Sequence, residues 1–167
     1  MPVGTPSEVV LDFSGVKPFE PLDPGRVYKT RVTKFTLGES KEKKPKASLV
    51  LTIIAPEESQ VEEWEFSEEG KAVKAIGLKT GPKGKPVMTK ASGRQLFREY
   101  SLQDNALPYL YEFVKACNPD AKLGANFRLN VNEYLGLEVA ARIQNEGYEE
   151  QVRARVQRVY PASKYTE

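Results

Sequence analysis

Strict alternation of apolar and polar residues near the C-terminus is the feature that most restricts how this chain can fold. Apolar residues occupy every second position from 135 to 144: Leu137, Val139, Ala141 and Ile143. The alternation resumes in 148–160, where three apolar residues alternate with arginines: Val152, Ala154 and Val156 with Arg153 and Arg155. A period of two is typical of strands with one buried face, and Asn145-Glu146-Gly147 is typical of a turn. The pattern therefore predicts an antiparallel hairpin.

Upstream segments rich in β-branched and aromatic residues predict three more strands, at 26–37, 47–55 and 94–102. In the first of them, Tyr28, Thr30 and Val32 share one face, whereas Phe35 and Leu37 fall on the other. A strand that changes its buried face midway predicts a β-bulge or a strong bend.

The segment after the third predicted strand changes period. Apolar residues recur there at helical spacing: Leu107, Leu110, Val114 and Cys117. Asp104 or Asn105 can cap this helix, Pro108 lies in its first turn, and Asn118-Pro119 ends it. The predicted order is therefore three strands, one helix and a hairpin.

That order is the order of the OB-fold, a five-stranded Greek-key barrel. We therefore expect a mainly β (α+β) protein, an OB-fold-like barrel with one helix between strands 3 and 4 and an extra acidic/basic hairpin insertion. An α+β sandwich has the same order of elements and stays open. The expected organisation is an irregular arm (1–24), one OB-fold domain (25–161) with its insertion (56–94), and a short tail (162–167).

The residue types of the chain exclude much enzyme chemistry. It contains no histidine, which rules out Ser-His-Asp and Cys-His nucleophile systems and Cys/His zinc sites. Gly84-Lys85 is not a phosphate-binding loop, because Lys79 and Pro86 occupy positions where that motif needs Gly and Ser or Thr. We expect no catalytic residues, no metal site and no cofactor.

Targeting signals are also missing from the sequence pattern. No apolar run approaches the roughly 18 residues of a membrane-spanning helix, and the first residues lack the pattern of a signal peptide. A single cysteine, Cys117, suits a reducing compartment. We expect a cytoplasmic protein without a membrane partner.

The insertion separates its charges. Residues 56–70 hold seven glutamates and no Lys or Arg, whereas residues 79–94 hold five Lys or Arg and no acid. Scattered Gly and Pro in the basic segment predict a mobile loop or a β-ribbon. This segment either pairs with the neighbouring glutamates or binds a polyanion from outside, and we favour nucleic acid. Trp64, which lies among the glutamates, is expected to anchor its own hairpin.

Binding of a single strand needs cations that follow the backbone and flat side chains on which bases stack. Both kinds of side chain gather on the first and third predicted strands, on the loop after the first strand and on the insertion. The predicted contact residues are Tyr28, Lys29, Arg31, Lys34, Lys43, Lys44, Lys79, Lys83, Lys85, Lys90, Arg94, Phe97, Arg98 and Tyr100. The competing interpretation is a solvated sheet face whose aromatic residues belong to the core.

Three segments resemble the small single-stranded-DNA-binding proteins of bacteriophages and prophages: "PLDPGRVYKTRV", "LPYLYEFVKAC" and "EYLGLEVAARIQNEGYEEQVRARVQRVYP". The resemblance implies an OB-fold and non-catalytic binding of single-stranded DNA in phage replication or recombination, in the host cytoplasm. It also implies replication or recombination proteins as partners. The insertion has no counterpart in this resemblance, and "PASKYTE" differs from the acidic tails with which many bacterial single-strand binders recruit partners.

Two rival functions remain. An interaction module on the same barrel would hold a basic protein with its acidic hairpin and would show no salt-dependent binding of oligonucleotides. A metal-dependent nuclease would have to rely on Glu63 and Glu65, the one pair of these glutamates that shares a strand face. Exposed strand edges would also allow a homodimer.

Overall fold

The computed structural model describes residues 7–12, 14 and 20–166. Nine strands lie in this part of the chain: β1 (Val27–Glu39), β2 (Pro45–Ala55), β3 (Glu58–Gln60), β4 (Glu62–Phe66), β5 (Ala72–Leu78), β6 (Met88–Lys90), β7 (Gln95–Ser101), β8 (Glu138–Tyr148) and β9 (Gln151–Pro161). Five of these strands form one sheet that closes into a ring, in the order β1-β2-β7-β9-β8. The protein is therefore mainly β, as predicted.

The interior of the ring is apolar because one face of each strand points into it. On β2, Leu49, Leu51 and Ile53 are all at most 1% exposed. The register of β1 slips between Val32 and Lys34, which confirms the predicted bulge. Beyond this bulge Phe35 is buried, but Leu37, which was expected on the same face, is 54% exposed.

One α-helix, α1 (Leu107–Cys117), covers an end of the ring, between its third and fourth strands in chain order. Phe113 is fully buried, and its ring centroid lies 5.2 Å from that of Phe35 and 5.8 Å from that of Tyr100. The predicted cap at Asp104 or Asn105 is wrong. Neither side chain caps the helix, because both residues form a 3-10 turn that leads directly into it.

The hairpin of β8 and β9 is longer than predicted, because its turn lies at Glu149 and Glu150 instead of 145–147. Asn145 is a buried strand residue whose Nδ2 donates to the Leu22 carbonyl at 2.7 Å. Gly147 is closely packed, since a Cβ there would lie 3.0 Å from both Trp64 and Ala72. Both residues thus serve contacts with other segments.

The insertion is a β-ribbon. At the base of the ribbon β3 pairs with β6, and in its outer part β4 pairs with β5. Residues 79–87 connect β5 to β6. The outer part rests on the tip of the β8–β9 hairpin, where the Ala72 amide donates to the Glu149 carbonyl at 2.6 Å. Trp64 donates to Glu62 at 2.7 Å and packs at Gly147, so it anchors the ribbon against β8 and β9.

Most of the predicted irregular arm lies outside the described residues. Its last residues belong to the packed structure: Leu22 is 1% exposed, and Pro21 and Asp23 hydrogen-bond the backbone of 60–62. In the predicted tail, Ala162–Lys164 forms a 3-10 turn, and residue 167 lies outside the described part. Among the described helices, none combines the length and the apolar character that crossing a membrane requires.

Candidate nucleic-acid interface

A row of four residues crosses the outer face of the ring from β1 through β2 and β7 to β9: Lys34, Val50, Phe97 and Arg155. The strand register pairs each of them with the next. Phe97 is 55% exposed, and Lys34 and Arg155 are exposed on either side. Because neighbouring strands lie about 4.8 Å apart, this exposed row spans about 15 Å.

An exposed aromatic ring in the middle of a sheet has a free-energy cost, because burying such a side chain would stabilise the fold by about 1.5–3 kcal/mol. Stacking on nucleobases is one way in which such a ring is used. Lys34 has no ion pair among the described residues, whereas Arg155 lies 3.3 Å from Glu146. The exposed row therefore places a flat apolar surface between two cations.

A second row lies beside it and joins Arg31, Thr52 and Gln95. Arg31 and its neighbour Lys29 both approach one carboxylate, Glu138, at 3.9 and 3.8 Å. Ion pairs this exposed contribute about 0–1 kcal/mol, so a phosphate can replace the carboxylate at little cost. Lys29, Arg31, Lys34 and Phe97 are thus the predicted residues that the structure brings together.

Two predicted stacking residues, Tyr28 and Tyr100, lie in the core instead. Tyr28 is fully buried, and its hydroxyl donates to the Asp23 carbonyl at 2.7 Å and lies 2.8 Å from Ser59 Oγ. Burial raises the pKa of Tyr28 to about 12. Tyr100 is 3% exposed, and burial raises its pKa too. This corrects their assignment, because a base cannot reach either ring from the outer face.

Arg98 connects β7 to β9. It lies at an inward position of β7 and donates through Nη1 to the carbonyls of Val156, at 2.8 Å, and Gln157, at 3.2 Å. Its guanidinium also lies over the rings of Tyr100, at 5.1 Å, and Tyr109, at 5.5 Å. β7 and β9 share only one backbone pair in the strand register, so the hydrogen bonds of Arg98 take the place of backbone hydrogen bonds between these strands. Arg98 was predicted to contact phosphate, and the structure corrects this to a structural role.

Arg94 likewise ties segments together. Its guanidinium donates to the Glu20 carbonyl and, at 3.1 Å, to Thr89 Oγ1. Burial lowers the pKa of this group. Arg94 therefore joins the segment before β1 to β6, and its predicted phosphate contact would have to displace these bonds.

The other six predicted lysines fall into two groups at opposite ends of the ring. Lys43 and Lys44 lie in the turn between β1 and β2, where Lys44 is 3.4 Å from Glu42. The second group lies on the insertion and consists of Lys79, Lys83, Lys85 and Lys90, all exposed. The 11 residues of β2 separate the two ends, by roughly 35 Å at about 3.3 Å per residue. The exposed row lies between them.

In the part of the chain that the structure describes, the glutamates of the insertion form no ion pair with the lysines of its basic segment. Within the described residues, Glu65 pairs with Lys74 at 3.7 Å and Glu69 with Lys71 at 3.5 Å, all inside the β4–β5 hairpin. Lys79 pairs with Glu20 at 3.8 Å. No group of three or more His, Cys, Asp or Glu residues in the described part is arranged to hold a metal ion, so Glu63 and Glu65 have no third ligand there.

Sequence patterns did not single out Val50 and Arg155 as contact residues. The alternation places Arg155 on an outward face, but it does not show that β9 lies beside β7. That neighbourhood joins residues far apart in the chain. No protein-family model matches this chain, and a search of curated proteins finds no match either.

Proposed function

We propose that this protein binds single-stranded DNA, without catalysis, on the outer face formed by β1, β2, β7 and β9. The observation that carries the proposal is the exposed row, in which the 55% exposed ring of Phe97 lies between the cations Lys34 and Arg155. Stacking of a base on such a ring contributes about 1–3 kcal/mol, and flanking cations hold the phosphates.

An OB-fold assignment belongs to this proposal. It is supported by the five-stranded ring, by the helix between the third and fourth ring strands, and by an exposed face on the second and third ring strands, where OB-folds bind oligonucleotides. The resemblance to phage and prophage proteins suggests a role in replication or recombination, in the host cytoplasm and beside partner proteins from those processes.

The modest net charge of +2 agrees with a protein that depends on stacking. A duplex binder relies on many phosphate contacts and is usually more basic. On a single strand, each base that stacks adds affinity without adding charge.

The test is fluorescence anisotropy of a labelled oligo-dT at two salt concentrations, with an unlabelled duplex of equal length as competitor. We expect salt-sensitive binding that the duplex does not displace. Phe97→Ala should weaken it by about tenfold. Tyr111→Ala is the matched control, because Tyr111 is also exposed, at 51%, but lies on α1. Absence of wild-type binding at low salt would refute the proposal.

A second candidate function, interaction with a protein through the ribbon, is favoured by one observation. The two residues inserted by the register shifts of β5 are apolar and exposed, Val73 at 56% and Ile76 at 53%. If oligo-dT does not bind, Val73→Ser and Ile76→Ser are the variants with which to test partner binding.

A further inference from the structure

A cleft opens where β7 and β9 separate. The two strands run parallel and pair at Phe97 and Arg155, and the residues that precede this pair on both strands line a cavity of about 560 Å³. That volume lies in the range of roughly 300–1,000 Å³ that small-molecule sites have. The cleft adjoins the exposed row, because Phe97 belongs to both.

The lining combines an apolar floor with polar groups. Apolar contacts come from Leu22, Leu96, Val152 and Ala154, and polar ones include Gln95, Asn145 and Arg153. Apolar walls beside two neutral amides, Gln95 and Asn145, suit a nucleobase, which has apolar faces and polar edges; the charged groups of the lining are Glu20, Arg94 and Arg153. An inorganic anion would leave these apolar walls without a contact.

Asn145 carries an unused hydrogen-bonding atom. The residue is 8% exposed, and its Nδ2 donates to the Leu22 carbonyl at 2.7 Å and to Glu62 at 3.1 Å. Its Oδ1 is buried without a hydrogen-bond partner among the described residues. Buried acceptors are normally satisfied, so this oxygen in a cleft-lining residue is hydrogen-bonding capacity that the described residues leave unused.

Arg153 lines the cleft and has no carboxylate partner in the described part of the chain. It lies over the ring of Tyr148 at 5.4 Å, and its Nη2 is 3.4 Å from Gln151 Oε1. The guanidinium can therefore hold the phosphate that follows a base without first breaking an ion pair.

We propose that the cleft between β7 and β9 takes one nucleobase of the bound single strand, with the base beside Phe97 and its phosphate on Arg153. This inference rests on the proposed function and assigns a site to it. The single-stranded DNA would run along the exposed row and place one base between β7 and β9.

Ala154→Leu tests the proposal by filling the cleft, and Ala125→Leu is the matched control at an exposed position outside it. We expect Ala154→Leu to weaken oligo-dT binding by about tenfold, the effect of losing one stacked base, and Ala125→Leu to bind as wild type does. If Ala154→Leu does not fold, the smaller Ala154→Val replaces it, with a smaller loss of affinity expected.

An abasic oligonucleotide of equal length separates loss of the pocket from general damage. Wild type and Ala154→Leu should bind it equally, because it has no base that the leucine can exclude. Equal affinity of both proteins for oligo-dT would overturn the cleft assignment and leave the proposed function standing. A loss that is the same on both oligonucleotides would also overturn it. Failure of the wild type to bind oligo-dT would refute the proposed function, and the cleft assignment with it.

Discussion

Tyr28 shows how one buried hydroxyl can set the stability of the protein at alkaline pH. Burial raises its pKa to about 12, whereas a tyrosine in an unfolded chain titrates near 10. Between these values the folded state keeps a proton that the unfolded state loses. The contribution to stability is therefore complete below pH 10 and is lost as the pH rises to 12, by up to about 1.4 kcal/mol per pH unit.

Tyr28→Phe should therefore have two effects in urea denaturation. Near neutral pH it should lower the free energy of unfolding by about 1–2 kcal/mol, because the bonds to Asp23 and Ser59 are lost. From pH 10 to pH 12 the variant should lose less stability than the wild type does. Tyr111→Phe, on the surface of α1, should change neither quantity. Parallel stability curves for wild type and Tyr28→Phe would contradict the assignment.

At this scale the sequence predicts which residues share a strand face better than it predicts their roles. The alternation placed Tyr28 with Val32, and both are buried, yet an aromatic ring among cations also matched the pattern of a binding face. Arg98 shares its face of β7 with Leu96 and Tyr100, and only the adjacent carbonyls of β9 explain a cation there. Those contacts join residues that are distant in sequence.

Among the neighbouring strands of the ring, β7 and β9 are the most weakly connected. One backbone pair and the guanidinium of Arg98 connect the two strands. Arg98→Met keeps much of the length of the side chain but removes its donors, so it should lower the free energy of unfolding by about 2 kcal/mol. Amide hydrogen exchange should become faster in β9. Arg142→Met is the control, because Arg142 is exposed on β8. An unchanged rate of amide hydrogen exchange in β9 would show that the contact between β7 and β9 does not depend on Arg98.

Elements with a strong period could be predicted, and elements defined by tertiary contact could not. The helix, the bulge in β1 and the final hairpin follow from patterns within single segments. The predicted turn at 145–147 is wrong. Asn145 and Gly147 are residue types typical of turns, but here Asn145 bonds to Leu22 and Gly147 packs against Trp64. The packing of the ribbon on this hairpin has no local signal.

Across the whole molecule, cations at both ends of the ring predict that affinity depends on oligonucleotide length. An oligo-dT of about six nucleotides covers the exposed row, whereas one of about 16 can also reach both lysine groups. Lys43→Ala with Lys44→Ala, or Lys83→Ala with Lys85→Ala, should reduce the salt slope on the long oligonucleotide by about 1.4, since each lost phosphate contact counts for about 0.7. On the short one neither pair should change it. Equal effects at both lengths would place these lysines beside the exposed row.

The glutamates of the ribbon should affect binding through their field, since in the described part of the chain they form no ion pair with the lysines of the basic segment. Glu58 and Glu63 have no ion pair among the described residues, and Glu58 lies opposite Lys90 in the base of the ribbon. Replacing both by Gln preserves their shape and removes two negative charges near the lysines. We expect oligo-dT to bind about two to five times more tightly at low salt, with the gain in the association rate.

This gain should disappear near 1 M salt, where the screening length falls to about 3 Å. Asp120→Asn with Glu133→Gln is the matched control, because it changes the net charge equally but lies outside the ribbon, beyond α1 and before β8. If the control gains as much as the ribbon variant, net charge alone governs association. If only the ribbon variant gains, the acidic hairpin selectively weakens the attraction of its own basic segment for DNA. This would explain how a chain with 25 cationic and 23 acidic residues limits non-specific binding while it keeps a basic surface.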